Sequence, residues 1–129
     1  MSDPGNKVEV KQRLVDDAEL TELVFTLAKS TDVKAIFSPE SLSSRFRKVF
    51  KKEIQTGDGI FDDEVNIRTD TTEATIALLE SVEVRAPIES LILAGGVVEI
   101  DGIQVKIELP GQRTADDDLA VNVVRALGG

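Results

Sequence analysis

The sequence predicts an α+β fold: an antiparallel sheet of five to six strands with three to four helices packed on one face, a two-layer sandwich. Three features lead to this prediction. Short segments alternate apolar and polar residues, an Asp-Gly pair joins two such segments near residue 101, and longer segments with helical spacing lie between or after them. A sheet of this kind buries one face and leaves the other in contact with solvent.

Length and composition are those of one small domain. With 129 residues, of which 41% are hydrophobic, the chain can bury a single core. We expect a flexible N-terminus over residues 1–6 and one domain over residues 7–129. The chain has five Phe and neither Trp nor Tyr, so the core must be mainly aliphatic.

Three strands are predicted before residue 38. The segment KVEVKQRL alternates, with Val8, Val10 and Leu14 on the side expected to be buried. The segment TELVFTLAKS fits both a helix and a strand, and its Thr, Val and Phe content favours a strand paired with the first. Residues 32–37, DVKAIF, add a short third strand.

A helix is predicted to follow, with Ser38 as its cap and Pro39 at its first position. It should end near Lys52. Its apolar stripe consists of Leu42, Phe46, Val49 and Phe50.

The middle of the chain predicts a strand and two helices. EVNIRT alternates around Val65 and Ile67, and Asp70 or Thr71 can cap the helix after it. Pro87 indicates that the second helix begins near Ala86. The first helix should bury Ile76, Ala77 and Leu79, and the second should bury Ile88, Leu91 and Ile92 and end at Gly95 and Gly96.

The C-terminal third predicts a hairpin and a closing helix. Asp101-Gly102 is typical of a type I′ turn, which would place Ile100 opposite Ile103 and Val98 opposite Val105. After the break at Pro110-Gly111, Thr114 and Asp117 form a capping-box pattern. The helix should bury Leu119, Val123, Ala126 and Leu127 and end at Gly128-Gly129.

The absence of histidine and cysteine restricts the chemistry. Without these residues there is no Ser-His-Asp triad, no Cys-His pair and no zinc site of thiolate or imidazole ligands. A disulfide, a haem and an iron–sulfur cluster are excluded with them, and we expect no cofactor. Any catalysis would have to use carboxylates, Lys, Arg, Ser or Thr, with an oxygen-ligated metal as the one inorganic helper.

Asp58, Asp62 and Asp63 are the candidate metal ligands, in the segment GDGIFDDE. Their spacing does not match a calcium loop of the EF-hand type, and consecutive side chains diverge on an extended chain. The simpler interpretation is a turn made by flanking glycines, followed by Phe61 in the core. The other acidic run, residues 116–118, suits the first turn of a helix.

A basic stretch is the candidate binding surface. Residues 41–52 carry five basic residues and no acidic one: Arg45, Arg47, Lys48, Lys51 and Lys52. Such a helix could bind acidic lipid, nucleic acid or an acidic partner, although the same pattern is typical of an ordinary solvent-exposed face. The chain as a whole has a net charge of −9, which disfavours nucleic acid as a partner.

The N-terminus shows no signal-peptide pattern, and no apolar run is long enough to span a membrane. We therefore expect a soluble, cytoplasmic protein.

Residues from about Ser38 onward, some two-thirds of the chain, resemble a family of uncharacterised bacterial domains. The family core is written I-Q-T-G-D-x-x-F-D and is followed by a strand, helices, a hairpin and a closing helix. The matching residues are Ile54, Gln55, Thr56, Gly57, Asp58, Phe61, Asp62, Val65, Ile67, Leu78 and Leu79. The resemblance implies this architecture and a bacterial source, and it implies no activity.

These observations favour a non-catalytic binding or scaffolding domain that acts through contacts with a protein partner. The sequence is also compatible with a homodimer. Two alternatives stay open: a divalent-metal-dependent hydrolase that uses the acidic turn at residues 58–64, and a small acidic chaperone or adaptor.

Overall fold

Six strands and four helices are present in the described residues, which are 8–15, 17–27, 29–39 and 59–128 of a computed structural model. The α+β fold class is confirmed. The elements in chain order are β1 (Val8–Val15), β2 (Ala18–Thr26), β3 (Lys34–Pro39), α1 (Gly59–Glu64), β4 (Val65–Thr69), α2 (Thr72–Leu79), α3 (Val82–Leu93), β5 (Val97–Asp101), β6 (Gln104–Pro110) and α4 (Asp118–Ala126).

All six strands belong to one sheet with the order β1-β2-β6-β5-β3-β4, and every neighbouring pair is antiparallel. Residues that oppose one another across strands share a face of the sheet. One row of opposed residues therefore crosses the whole sheet on its apolar face: Val10, Leu23, Ile107, Val98, Phe37 and Ile67. We call this set the apolar row.

The segment with two patterns, TELVFTLAKS, forms strand β2, as its β-branched and aromatic content predicted. It pairs with β1 from Ala18 to Phe25, and the two strands are joined by a turn in which Asp17 has φ +68°. The predicted pairing of the first two strands is confirmed.

The predicted helix start at Ser38 is wrong. Strand β3 continues through Pro39, which opposes Val65 on β4. A residue before proline avoids the helical region, and a proline is tolerated at the end of a strand. Ser38 is therefore extended and buried in the sheet. The rest of that predicted helix, residues 40–52, lies outside the described residues.

Helix α2 begins where predicted, after Thr71, but Thr71 does not cap it with its side chain. The hydroxyl of Thr71 instead accepts a hydrogen bond from the Lys34 amide at 2.9 Å. The predicted buried side is partly wrong, because Ile76 and Ala77 are exposed while Thr75 and Leu79 are buried. Thr75 can be buried because its hydroxyl shares a 2.8 Å hydrogen bond with that of Thr69.

Helix α3 begins four residues earlier than Pro87 led us to expect, at Val82. Ser81 caps it by accepting a hydrogen bond from the Glu83 amide at 3.2 Å, so Pro87 lies inside the helix. The predicted buried residues Ile88, Leu91 and Ile92 are confirmed, and Val84 joins them. The last turn closes with bonds from the Gly95 and Gly96 amides, to Ile92 O and Leu91 O.

The hairpin of β5 and β6 forms, but its predicted register is wrong by two residues. Asp101 pairs with Gln104, so the turn residues are Gly102 and Ile103, and Ile100 opposes Val105. Gly102 has φ +63° and Ile103 does not have a positive φ, as in a type II′ turn. The turn is held by tertiary bonds, from Gly102 N to Val33 O at 3.0 Å and from Thr31 N to Gly102 O at 2.9 Å.

A shift of two residues keeps every side chain on its predicted face, so the apolar residues of β5 and β6 are still buried. Two residues change place: Ile103 moves from the sheet to the exposed turn, and Asp101 moves from the turn into the strand.

Helix α4 is capped by Asp117, whose carboxylate accepts from the Leu119 amide at 3.1 Å. The predicted cap at Thr114 is therefore wrong. Val123 is buried as predicted, and so are Ala120 and Val124, which the prediction missed. Leu119, Ala126 and Leu127 are half-buried against the core.

The core joins the apolar face of the sheet to the helices. Helix α3 contacts β3 and β5, and α4 packs against α3. Within the described part of the chain, no helix combines the length and the apolar character that crossing a membrane requires.

Candidate functional site

The sequence-predicted site residues lie mostly outside the described part of the chain. The basic residues Arg45, Arg47, Lys48, Lys51 and Lys52, and the candidate metal ligand Asp58, all fall within residues 40–58. Asp62 and Asp63 belong to helix α1, and their side chains are not among those described. The basic surface and the acidic metal site therefore stay predictions.

The backbone around the acidic candidates differs from the predicted turn. Residues Gly59–Glu64 form a short helix that runs directly into β4. Phe61 on this helix has no exposed surface, which confirms its predicted place in the core. Among the described residues, no group of three or more acidic side chains is arranged to hold a metal ion.

The solvent-side face of the sheet carries a network of ion pairs, which we call the charged face: Arg13, Glu22, Glu99, Lys106 and Glu108. Glu22 lies at its centre, with Arg13 Nη1 at 2.9 Å and Lys106 Nζ at 4.0 Å from its carboxylate. Only 6% of Glu22 is exposed, and its charge is balanced by these two cations.

This network of ion pairs is suited to stabilising the sheet rather than to catalysis. Each carboxylate already faces a cation on another strand: Glu22 and Glu99 on a neighbouring strand, and Glu108 two strands away at Arg13, an arrangement of cross-strand pairs that stabilises a sheet. General acid or base catalysis requires a side chain that can donate or accept a proton and that is directed toward a bound substrate. Of the cavities formed by the described residues, those between α3 and α4, beside β3 and β4, and at the end of β1 are not lined by Glu22.

Strand β1 differs from every other strand in its exposure. All the described side chains from Glu9 to Leu14 are exposed, whereas every other strand buries its apolar face. Val10, at the end of the apolar row, is 43% exposed, and Leu14 on the same face is 71% exposed. The prediction that β1 buries one face is therefore wrong at Val10 and Leu14, because the described helices pack chiefly over β3, β4 and β5 and leave this edge of the sheet uncovered.

The exposed strand is held firmly on its inner side. Its pairing with β2 continues without a bulge through eight residue pairs. Gln12 accepts a hydrogen bond from the Thr21 hydroxyl at 2.9 Å and donates one to Arg113 O at 3.4 Å. The strand is thus a straight, supported edge whose outer backbone groups have no strand beside them in the described residues.

An open cavity of about 330 Å³ lies at one end of this edge. It is lined by Gln12, Arg13, Leu14, Glu19 and Gln112. A hydrogen bond from Gln112 to Glu19 at 3.2 Å forms its wall away from the edge. The cavity puts Leu14 at the border of a recess that an apolar side chain from another molecule can enter.

A larger groove, of about 510 Å³, lies between α3 and α4. Its lining includes Pro87, Leu119 and Ala126, with Glu83, Ser90 and Arg125 as its chemically active side chains. A serine nucleophile requires a neighbouring base, and the lining supplies one carboxylate on the same helix as Ser90, seven residues away. This spacing, two turns of helix, keeps the two groups apart, so the groove lacks a catalytic pair.

Sequence reasoning missed the site because strand order is not local information. The alternation of KVEVKQRL correctly predicted a strand, and Gln12 on its apolar side was the one local indication of weak burial.

Comparison with family models, curated proteins and solved structures found no match for this chain.

Proposed function

We propose that this protein is a non-catalytic binding domain that acts through protein–protein contacts, and that the edge of β1 is its contact surface. The observation that carries the proposal is the exposure of Val10 at the end of an otherwise buried apolar row. Monomeric proteins usually protect such an edge with a short strand, a bulge, a cover or charged side chains, and β1 carries its charges, Glu9, Lys11 and Arg13, only on the face opposite Val10. Here the strand is eight residues long, regular and exposed on its apolar face.

An edge of this kind binds by adding a strand. The partner supplies backbone hydrogen bonds, and its alternate side chains contact the apolar and the charged face in turn. On the apolar face the contact would cover Val10 and Leu14, and on the other face it would meet Glu9, Lys11 and Arg13. The chain also lacks the imidazole and thiol groups on which most catalytic sites depend, which supports a role in binding.

The proposal can be tested with two matched variants. Val10→Lys places a charge on the apolar side of the edge, which natural edge strands use to prevent pairing. Val82→Lys makes the same change at an exposed valine of α3, where 59% of the side chain is exposed. Immobilised wild-type and variant proteins are incubated with extract of the source cells, and bound proteins are identified and then rebound in purified form.

We expect a partner that binds the wild-type protein and Val82→Lys, and that loses at least tenfold in affinity for Val10→Lys, about what one buried charge costs at a contact. Equal binding by both variants would contradict β1 as the contact surface. Turnover of a metabolite by the pure protein would contradict the non-catalytic role.

A further inference from the structure

We infer that the partner of the β1 edge is the β1 strand of a second copy of this chain, so that two sheets join into one of twelve strands. This inference rests on the proposed function and specifies its partner. It is carried by the order of charges along β1: when the strand is reversed about Lys11, Glu9 of each copy opposes Arg13 of the other, at two equivalent positions beside the central lysine pair.

Symmetry limits how two copies of β1 can meet. A twofold axis perpendicular to the sheet makes the two strands antiparallel and keeps their apolar faces on the same side. Each residue then opposes one of its own face, and the axis passes through a single position. Within β1, the central candidates for this position are Val10, Lys11 and Gln12.

The charges and the exposed leucine separate these three registers. An axis at Gln12 would oppose Val10 and Leu14 on the apolar face, but it would place Lys11 of each copy opposite Arg13 of the other, a repulsive pair that occurs twice. An axis at Val10 would place Glu9 opposite Lys11, but it would pair only residues 8–12 and would leave Leu14 opposite position 6, beyond the end of the strand and uncovered. An axis at Lys11 pairs residues 8–14 and places Glu9 of each copy opposite Arg13 of the other.

In the Lys11 register, the two copies of Lys11 meet at the axis, where their positive charges would repel each other. On its own sheet each Lys11 opposes Glu22, and Glu22 in turn opposes Glu108. The two lysines would therefore have a pair of carboxylates on either side, which Arg13 contacts in the single copy and would share with Lys11 once it faces Glu9 of the other copy. A lysine has a flexible stem, so each ammonium group can turn away from the axis toward its own carboxylates.

In the Lys11 register, the apolar side of the seam places Leu14 of each copy opposite Val8 of the other, and Val10 opposite Gln12. Val10 and Leu14 from each copy would come to lie at the centre of a continuous apolar face instead of at its border. The open cavity beside Leu14 leaves room for the side chain that the second copy brings to this end of the strand. Apolar surface that is exposed in the single copy would thus be removed from water.

Single-cysteine variants test the register directly, because the chain has no cysteine of its own. Opposed residues of antiparallel strands lie about 4.5–5.5 Å apart at Cα, which is within the range of a disulfide. The variants are Val10→Cys, Lys11→Cys and Gln12→Cys, oxidised mildly and analysed by non-reducing electrophoresis. Oxidation in denaturant is the control for random collision.

We expect Lys11→Cys to form the disulfide-linked dimer at least tenfold faster than the other two variants, since diagonal neighbours are about 7–8 Å apart. Fastest cross-linking at position 10 or 12, equal rates at all three positions, or the same rates in denaturant would each overturn the inference.

A charge reversal gives a second measurement that needs no cysteine. Glu9→Lys would place a lysine opposite Arg13 of the other copy, at two equivalent positions. We expect it to weaken the dimer by about tenfold in sedimentation equilibrium, given the usual size of cross-strand charge effects. Glu80→Lys makes the same change at an exposed position after α2 and should leave the dissociation constant unchanged. Equal effects of the two variants would contradict the inference.

The two proposals can fail separately. A wild-type protein that stays monomeric at all concentrations, with no cross-link at position 11, would overturn the homodimer. The proposed function would survive that result if Val10→Lys still loses a different protein partner. It would fail if Val10→Lys binds every partner as the wild-type protein does.

Discussion

Thr21 shows how single side chains fix the position of the exposed strand. It has no exposed surface, and its hydroxyl oxygen accepts a hydrogen bond from the Arg113 amide at 2.9 Å. Its proton can go to Gly111 O at 2.7 Å or to Gln12 at 2.9 Å. One hydroxyl therefore links β1, β2 and the loop before α4.

Thr21→Val should destabilise the protein, because it leaves the Arg113 amide and the Gly111 carbonyl without this partner in a buried place. We expect a loss of about 1–3 kcal/mol in the free energy of unfolding, the usual cost of an unsatisfied buried group. Chemical denaturation measures it. Thr26→Val, on the same strand but only half-buried, serves as the control and should change stability by less than about 0.5 kcal/mol. Similar losses in both variants would show that the hydroxyl network has no special role.

Local residue signals predicted which segments are strands and helices, but they did not predict every end. Ser38 and Pro39 match a helix start, and Thr114 matches a cap. In the fold, Pro39 pairs with Val65, and Asp117 is the residue that caps α4. Ser38 and Pro39 suit either the start of a helix or the end of a strand, and contacts with distant parts of the chain decide which of the two forms.

At the scale of elements, helix α3 shows that a buried face outweighs a local breaker. Pro87 lacks the amide that would bond to Glu83 O, a loss that usually ends or kinks a helix. The helix nevertheless runs from Val82, because Ser81 caps it and Val84 on its first turns is buried with Ile88. Burial of Val84 requires the turn that Pro87 disfavours.

Pro87→Ala should stabilise the protein. The alanine restores one backbone hydrogen bond and removes the clash with the preceding turn, while the unfolded chain becomes somewhat more flexible. We expect a net gain of about 1–2 kcal/mol, less than the full cost of roughly 3 kcal/mol for a proline in a helix interior. A rise in the melting temperature would confirm it. A fall would mean that packing of Pro87 in the groove beside α4 is worth more than the hydrogen bond.

The hairpin of β5 and β6 shows the limit of prediction from turn chemistry. Asp-Gly and Gly-Ile turns differ by two residues in register and put the same side chains on the apolar face. The sequence pattern therefore cannot separate them. The bonds of Gly102 to Val33 and Thr31 do, and they come from the connection between β2 and β3.

At the scale of the whole molecule, the important property is the order of the strands. Composition and alternation predicted an antiparallel sheet of the right size, but the position of β1 at its edge depends on which strands pair across the chain. The clusters of charged residues predicted functional sites at residues 45–52 and 58–63 instead. The edge carries ordinary valine, leucine and alternating charges, and only the assembled sheet shows that two of its apolar side chains are exposed.

The sheet has a second edge, and the two edges differ in ways that bear on function. Strand β4 has five residues, and both Val65 and Ile67 are buried. Strand β1 is longer and exposes its apolar side. A long exposed edge is the one expected to recruit another strand, and the short one is typical of a protected end.

Amide hydrogen exchange across a series of protein concentrations tests the β1 contact most directly. The outward-facing amides of β1 have no strand beside them in the single copy, so they should exchange fast at low concentration and become protected as the dimer forms. The amides of β4 provide the control within the same molecule, because they should exchange at one rate throughout. Exchange in β1 that does not depend on concentration, or protection that grows equally in β1 and β4, would contradict pairing through the β1 edge.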